Sequence, residues 1–389
     1  MISVSEALDA LFALAEPLGQ EDVPLADCAG RVLAAPVSAR LTQPPFDASS
    51  MDGYAIKSVE ADLHAQFKLV GEAAAGHPFE GTLKAGQTVR IFTGAPVPEG
   101  ADFVVIQEDV ERRGSLVTII AEQGKSNIRP AGQDFAAGDA LTAPRRLTPH
   151  DIALAAAMNH ASLPLARKPV VALIATGDEL VAPGNRPAEG QIVASNTYGL
   201  KALIEEHGGE ARLLPIARDT RESLETVFAL AEGADLIVTV GGASVGDHDL
   251  VGEVAEGLGL ERSFYKVAMR PGKPLMAGRM GDAVLLGLPG NPVSAMVCGH
   301  IFLLPMLRAL QGLGKAAAPR LTARLAKPLG ENGPREHYMR ARVMGGEITA
   351  EKRQDSALLS VLSRANALLI RPPHDPAREA GEDVAFVPV

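Results

Sequence analysis

The chain has 389 residues, 47% hydrophobic and 22% charged, the composition of a globular protein able to bury substantial cores. At about 100 to 200 residues per domain, two to four domains are expected. Thirty-seven Lys and Arg stand against 47 Asp and Glu for a net charge of −10, with no basic block to follow a nucleic-acid backbone, so nucleic acid is not an expected partner.

The N-terminal segment MISVSEALDALFALAEP carries acids and no basic region. Ser3 and Glu6 form a capping box ahead of Val4, Leu8, Leu11 and Phe12 at helical spacing, which predicts a folded helix and not a signal peptide; no membrane partner is expected. Cys28 and Cys298 lie far apart, without a CxxC or HExxH pattern. They read as small buried apolar residues, suit a reducing, cytoplasmic compartment and offer no zinc site.

Short apolar runs follow to about Thr42, and PPFDASSMDGYAI then opens a region of alternating strands and turns such as TGAPVPEGAD. This predicts an inserted β domain over residues 45–140. Thr148, Pro149 and Asp151 mark a helix start before IALAAAMNH, where the chain returns to its first domain. Residues 1–44 and 141–168 are therefore expected to form one discontinuous linking domain.

From Pro169 strands alternate with helices: VVALIAT, a helix capped by Asn196 to His207, ARLLPIA, a helix capped by Thr220 to Glu232, then DLIVTV, further strands, and a long apolar helix from near Pro292. That alternation predicts a doubly wound, mostly parallel α/β domain over 169–316. Beyond the linker GLGKAAAP, residues 317–389 read as short strands with Gly and Pro turns, hence a small β barrel or sandwich.

Parallel strands place their following loops along one edge. Thr176-Gly177-Asp178-Glu179, Arg218-Asp219, Gly241 to Asp249, Arg270-Pro271-Gly272-Lys273 and Pro289-Gly290-Asn291-Pro292 should meet there. Each alone reads as an ordinary turn. Together they bring glycine turns, two cations and at least four acids to one crevice. Glycine turns let a backbone approach a phosphate closely, whereas carboxylates repel phosphate unless a metal or a donor intervenes. VTVGGASVGDHD therefore calls for a ligand with both anionic and donor-rich parts. GGASVG is not GxGxxG, GKS at 124–126 lacks the upstream glycine of a phosphate loop, and no Ser-His-Asp order or activated cysteine emerges.

ASSMDGYAI (48–56), IFTGAPVP (91–98), ATGDEL (175–180), VGGASVGDHD (240–249), RPGKP (270–274) and GLPGNPVSA (287–295) resemble, in order and over essentially the whole chain, the molybdenum-insertion family of MoeA and the gephyrin E domain. The resemblance implies a molybdopterin molybdenumtransferase: adenylylated molybdopterin and molybdate give molybdenum cofactor and AMP. A divalent cation is implied, and oxygen-only ligands favour Mg2+ over zinc. The α/β segment would be the molybdopterin-binding domain of an elongated homodimer. Molybdopterin adenylyltransferase and molybdoenzymes are the implied protein partners.

Carried over residue by residue, the resemblance makes Asp52, Thr93, Glu179, Asp219, Asp249 and Lys273 catalytic, with Asp219 and Asp249 on the metal. Asp52 and Thr93 would complete the crevice from the inserted β domain. Substrate would meet Asp134, Gly241, Gly242, Ser244, Gly246, Arg270, Pro289, Asn291, Pro292 and Ser294, while Arg340 and Ser356 align with molybdate positions. Arg270 stands where the family commonly has lysine, keeping the charge but replacing a point donor with a planar fork. Ala243 stands where valine or isoleucine is common. Two rivals differ in class: an adenylyltransferase, which would not need the inserted region, RPGKP or the terminal β domain, and a non-catalytic gephyrin-like scaffold, which would not need the crevice acids.

Overall fold

The structure, a computed structural model, describes residues 1–242 and 250–389. The first helix, Val4–Ala13, starts at the expected capping box: the Ser3 hydroxyl accepts from the Glu6 amide, and the Glu6 carboxylate accepts from the Ser3 amide at 2.7 Å. Its apolar stripe, Val4, Ala7, Leu8, Leu11 and Phe12, is buried in one cluster with the α/β strands and the helix from Pro292. The helix thus packs in the α/β core and not in the linking domain to which residues 1–44 were assigned. Periodicity defines the apolar face of a helix but not the surface that covers it.

The linking domain closes around the insertion. Gln20–Pro24 and Val32–Leu33 pair with Ser162–Ala166, and Val32–Leu33 also pairs with Arg145–Arg146, so segments before and after the inserted region share one sheet and one core containing Leu33, Leu147, Leu163 and Leu165. The helix Pro149–Ala157 begins as expected, with a capping box between Thr148 and Asp151 and proline in its first turn. The inserted domain is a six-stranded sheet in the order Phe103–Ile106, Gly53–Ile56, Gln87–Ile91, Gln66–Ala73, Leu116–Ile119, Val110–Arg113.

The α/β sheet runs in the order Glu210–Leu213, Val170–Ala175, Leu236–Val240, Ala283–Leu288, Met276–Met280, Leu260–Tyr265. The first four strands are parallel, Met276–Met280 runs antiparallel to both its neighbours, and the edge strand Leu260–Tyr265 again runs in the direction of the first four. Period-two alternation sends Val171 and Leu173 to one face, under Asn196–Glu206 and the helix from Pro292. Ala172 and Ile174 go to the other, under Arg221–Leu230 and Leu250–Gly257. Each buried leucine contributes about 1.5–3 kcal/mol, so the two covered faces hold the strand ends rigidly. Residues Pro292–Leu310 are apolar and long enough to cross a membrane, yet 83% of that stretch is buried in the protein, which makes it a core helix.

In the C-terminal region, Glu336–Met344, Glu347–Ala350, Leu321–Leu325, Asp383–Pro388 and Ala367–Arg371 close into a five-stranded barrel. A short strand of the α/β segment, Met269–Arg270, joins it in parallel register, Met269 opposite Glu336 and Arg270 opposite His337. The RPGKP loop therefore starts at the seam between two domains.

Candidate functional site

Three neighbouring parallel strands end flush, Ala175 level with Val240 and Val240 level with Leu288, so the next residues, Thr176, Gly241 and Pro289, open on one crevice. It encloses a cavity of about 900 Å³, near the upper end of small-molecule sites. Glu179, Asp219, Gly241, Gly242, Pro289, Asn291 and Pro292 line it as expected. The backbone of Gly241 (φ +102°) lies so close to its neighbour that a Cβ there would stand 2.6 Å from the Thr176 carbonyl oxygen. Only glycine lets these two loops stack.

Cross-bonds fix the walls. The Arg218 guanidinium donates to the Asp178 carbonyl at 2.8 Å, and the Asp219 amide donates to the Asp178 carboxylate at 3.3 Å. Asn196 does not cap its helix: Ser195 occupies that position, and the Asn196 amide group instead donates to the Gly290 carbonyl at 2.8 Å, tying the helix start to the PGNP loop. At the cavity wall the Thr176 hydroxyl is buried without a partner among the described residues. A buried unpaired hydroxyl is costly, and a ligand oxygen or ring nitrogen would satisfy it. Glu253, on Leu250–Gly257, adds a carboxylate to the lining that sequence reasoning missed, because an acid in a helix's first turn reads as a dipole partner.

Arg270 and Lys273 do not line this cavity: Arg270 is exposed at the barrel seam, and Lys273 is half-buried further along the same loop. Arg340 is fully buried there. One of its terminal nitrogens donates to the Asp355 carbonyl at 3.2 Å, while Nε and Nη1 have no partner among the described residues. Burial, and then the Arg270 charge, lower its pKa to about 10, against the pull of Asp355, so it stays protonated at neutral pH. The next residue, Ser356, accepts through its carbonyl from the Val293 amide at 2.9 Å, and Ala357 lines the crevice. One short loop thus joins the buried guanidinium to the head of the Pro292 helix, within which Ser294 is buried.

His337, unremarked in the sequence, lies in the same seam, buried, with Nε2 unpartnered among the described residues. Burial first, then Arg270, Arg340, Arg371 and Arg335, push its pKa from 6.5 down to about 4. A depressed folded pKa means that the stability it contributes is complete above pH 6.5 and is lost as pH falls through about 4. Thermal unfolding between pH 7 and 4 should therefore show a shallower loss for His337→Asn than for the parent chain. His300, whose pKa is also pushed to about 4 by burial and His207, is common to both and cancels. Identical pH slopes would show that the seam does not hold His337 neutral.

Asp52 and Thr93 are together but away from the crevice lining. The Thr93 amide and hydroxyl both donate to one Asp52 oxygen at 2.8 Å, holding that carboxyl below its ordinary pKa. Asp134 is exposed and also outside the lining. Ser244, Gly246 and Asp249 lie outside the described residues. Among the described residues, no group of three or more His, Cys, Asp or Glu is placed to hold a metal. Cys28 and Cys298 are both buried, and burial raises each thiol pKa, as inert packing residues require.

Crevice and seam define an α/β protein with a large, partly polar cavity at the carboxyl end of a parallel sheet and a buried cation at the barrel junction. Residues 2–159 match the MoeA N-terminal region (domain I and II), 172–309 a probable molybdopterin binding domain, and 322–389 the MoeA C-terminal region (domain IV). Among curated relatives, a molybdopterin molybdenumtransferase of Nostoc is 35% identical over 99% of this chain and 93% of its own length. One from Haemophilus influenzae is 32% identical over 96% and 94%. A solved molybdopterin biosynthesis MoeA protein from Pyrococcus horikoshii OT3 superposes with a TM-score of 0.86 at 25% identity, covering all of both chains. The chain belongs to the MoeA family and is a transferase of molybdenum-cofactor biosynthesis.

Proposed function

We propose that the chain inserts molybdenum into adenylylated molybdopterin in the cytoplasm, using molybdate and releasing AMP. The observation that carries the finer reading is the protonated, buried Arg340 with two unpartnered nitrogens, one loop away from the crevice. An anion is the ligand that such a group lacks. The pterin and its adenylyl link occupy the crevice, where Glu179, Asp219 and Glu253 accept from ring donors or hold a cation, and glycine amides meet phosphate oxygens. Molybdate sits at the seam between Arg270, Lys273, Arg340 and Ser356. Insertion is an exchange at the dithiolene sulfurs, so the protein chiefly brings two anions together and assists departure of AMP. Incubation with adenylylated molybdopterin and molybdate should release AMP in step with cofactor formation; molybdate-independent release would sink this reading.

The donor set fits Mg2+, since the acids lining the crevice offer oxygens only. Asp219 would hold it with Asp249, and the bound ion would neutralise charge on the pyrophosphate link. Chelation is expected to slow AMP release and magnesium to restore it; full activity in excess chelator would leave these acids as pterin holders.

The position of Asp52 and Thr93 off the crevice lining supports a homodimer in which one subunit's inserted domain completes the other's site. Mixing inactive Asp52→Ala with inactive Glu179→Ala should then regenerate one working site per mixed dimer. No recovery after verified subunit exchange would count against sharing. An adenylyltransferase that delivers the substrate and a molybdoenzyme that accepts the cofactor are the protein partners this reaction calls for.

A further inference from the structure

The C-terminal domain carries a second cavity, of about 360 Å³, lined by Lys327, Arg342, Lys352, Arg353 and Arg364 with Glu351 as the single carboxylate. Five cations face one acid on a chain whose net charge is −10. None of the five makes an ion pair with Asp or Glu among the described residues, although Arg and Lys elsewhere in the chain, such as Arg31, Arg320 and Arg378, do. Like charges gathered in a concave site repel one another and focus a positive potential into it. Such a site is relieved by a counter-ion, and a doubly charged one best.

The fold explains how the cations converge. Arg342 pairs across the ladder with Thr349, which also lines the cavity, and Lys327 follows the strand Leu321–Leu325. Arg364 follows the short helix Leu359–Leu362, whose Val361 forms the apolar side of the cavity. The remaining wall, Glu351 to Arg353, begins the loop that runs on to Ser356. That loop is fastened to Arg340: the Glu351 amide donates to the Arg340 carbonyl at 2.8 Å, and the Gln354 side chain accepts from the Arg340 amide and donates back to its carbonyl. Arg340 and Arg342, two apart in one strand, share a face.

We propose that this cavity is a binding site for a tetrahedral oxyanion of charge two, separate from the seam site at Arg340. The cations supply charge-assisted donors, and Thr349 a hydroxyl that donates or accepts. The ion comes either from molybdate, in which case the cavity holds substrate one loop away from Arg340, or from phosphate, free or in an ester. The cavity stands on its own charge and shape; only its connection to Arg340 rests on the molybdate reading.

The test is calorimetric titration of the full chain with molybdate, and separately with inorganic phosphate, at low ionic strength. Two molybdate sites per chain are expected. Arg342→Ala with Arg364→Ala should weaken one of them about tenfold or more, the effect of losing two exposed ion contacts, without a change in melting temperature. Arg340→Met should remove the other. A single site that survives the Arg342/Arg364 change overturns the cavity and leaves the seam reading intact. A single site lost with Arg342 and Arg364 but kept in Arg340→Met supports the cavity and counts against the seam. No binding in any chain overturns the cavity proposal. Phosphate that displaces molybdate from the cavity identifies a general oxyanion site, and failure to displace it assigns the cavity to molybdate.

Discussion

Replacing Lys273 with alanine is expected to slow molybdate-dependent AMP release by about 30-fold to several-thousand-fold, the consequence of leaving a desolvated anion without a charge worth about 2–5 kcal/mol. The loop itself should keep its shape. The Lys273 carbonyl accepts from the Val267 and Leu275 amides, bonds that alanine retains, and Pro271 and Gly272 beside it are buried. Stability should thus change little while activity falls. Arg270→Lys should preserve most activity, because the charge remains at the barrel seam and only the fork geometry is lost. If RPGKP were merely a solvated turn, either change would cost less than about 1 kcal/mol. The molybdate dependence of AMP release in both variants separates these outcomes, and parent-like behaviour of Lys273→Ala would place the anion elsewhere.

How much of this arrangement was legible in the sequence depends on how local the physics is. Capping boxes are complete within four residues, so Ser3 with Glu6 and Thr148 with Asp151 were read correctly. Val170–Ala175 and Leu236–Val240 are apolar on both faces, which only a covered parallel sheet explains, and the glycine turns after them fell on one edge as expected. Strand direction is another matter: Met276–Met280 has no pattern that marks it as running against both its neighbours. Asn196 has the chemistry of a cap, but a tertiary acceptor, the Gly290 carbonyl, takes its amide group. Glu253 and His337 were invisible because nothing local distinguishes a helix acid at a cavity wall from a solvated one, or a buried imidazole from an exposed one. The seam cations form the least local feature. Arg270 and Arg340 are seventy positions apart, and only the pairing of Met269–Arg270 onto the barrel brings their charges close enough to depress the Arg340 pKa.

Arg340→Met should divide function from stability more sharply than any other change. Removing a transition-state or oxyanion contact of this kind typically costs about 10²–10³ in rate, so AMP release should fall by that order. The melting temperature, by contrast, should hold or rise. The guanidinium is buried with two nitrogens unpaired among the described residues, and exchanging a buried charge that Asp355 offsets only in part for an apolar chain of similar length removes a desolvation cost. What is lost, the bond from the guanidinium to the Asp355 carbonyl, is a single contact, and the backbone bonds between Arg340 and Gln354 persist in the variant. Molybdate offers the complementary measurement: it should stabilise the parent chain against unfolding, since a ligand that binds only the folded state raises its melting temperature, and it should have no such effect through the seam in Arg340→Met. A variant that is strongly destabilised without molybdate would show that Arg340 is structural and satisfied within the protein. One that keeps parent-like activity would remove Arg340 from the molybdate site.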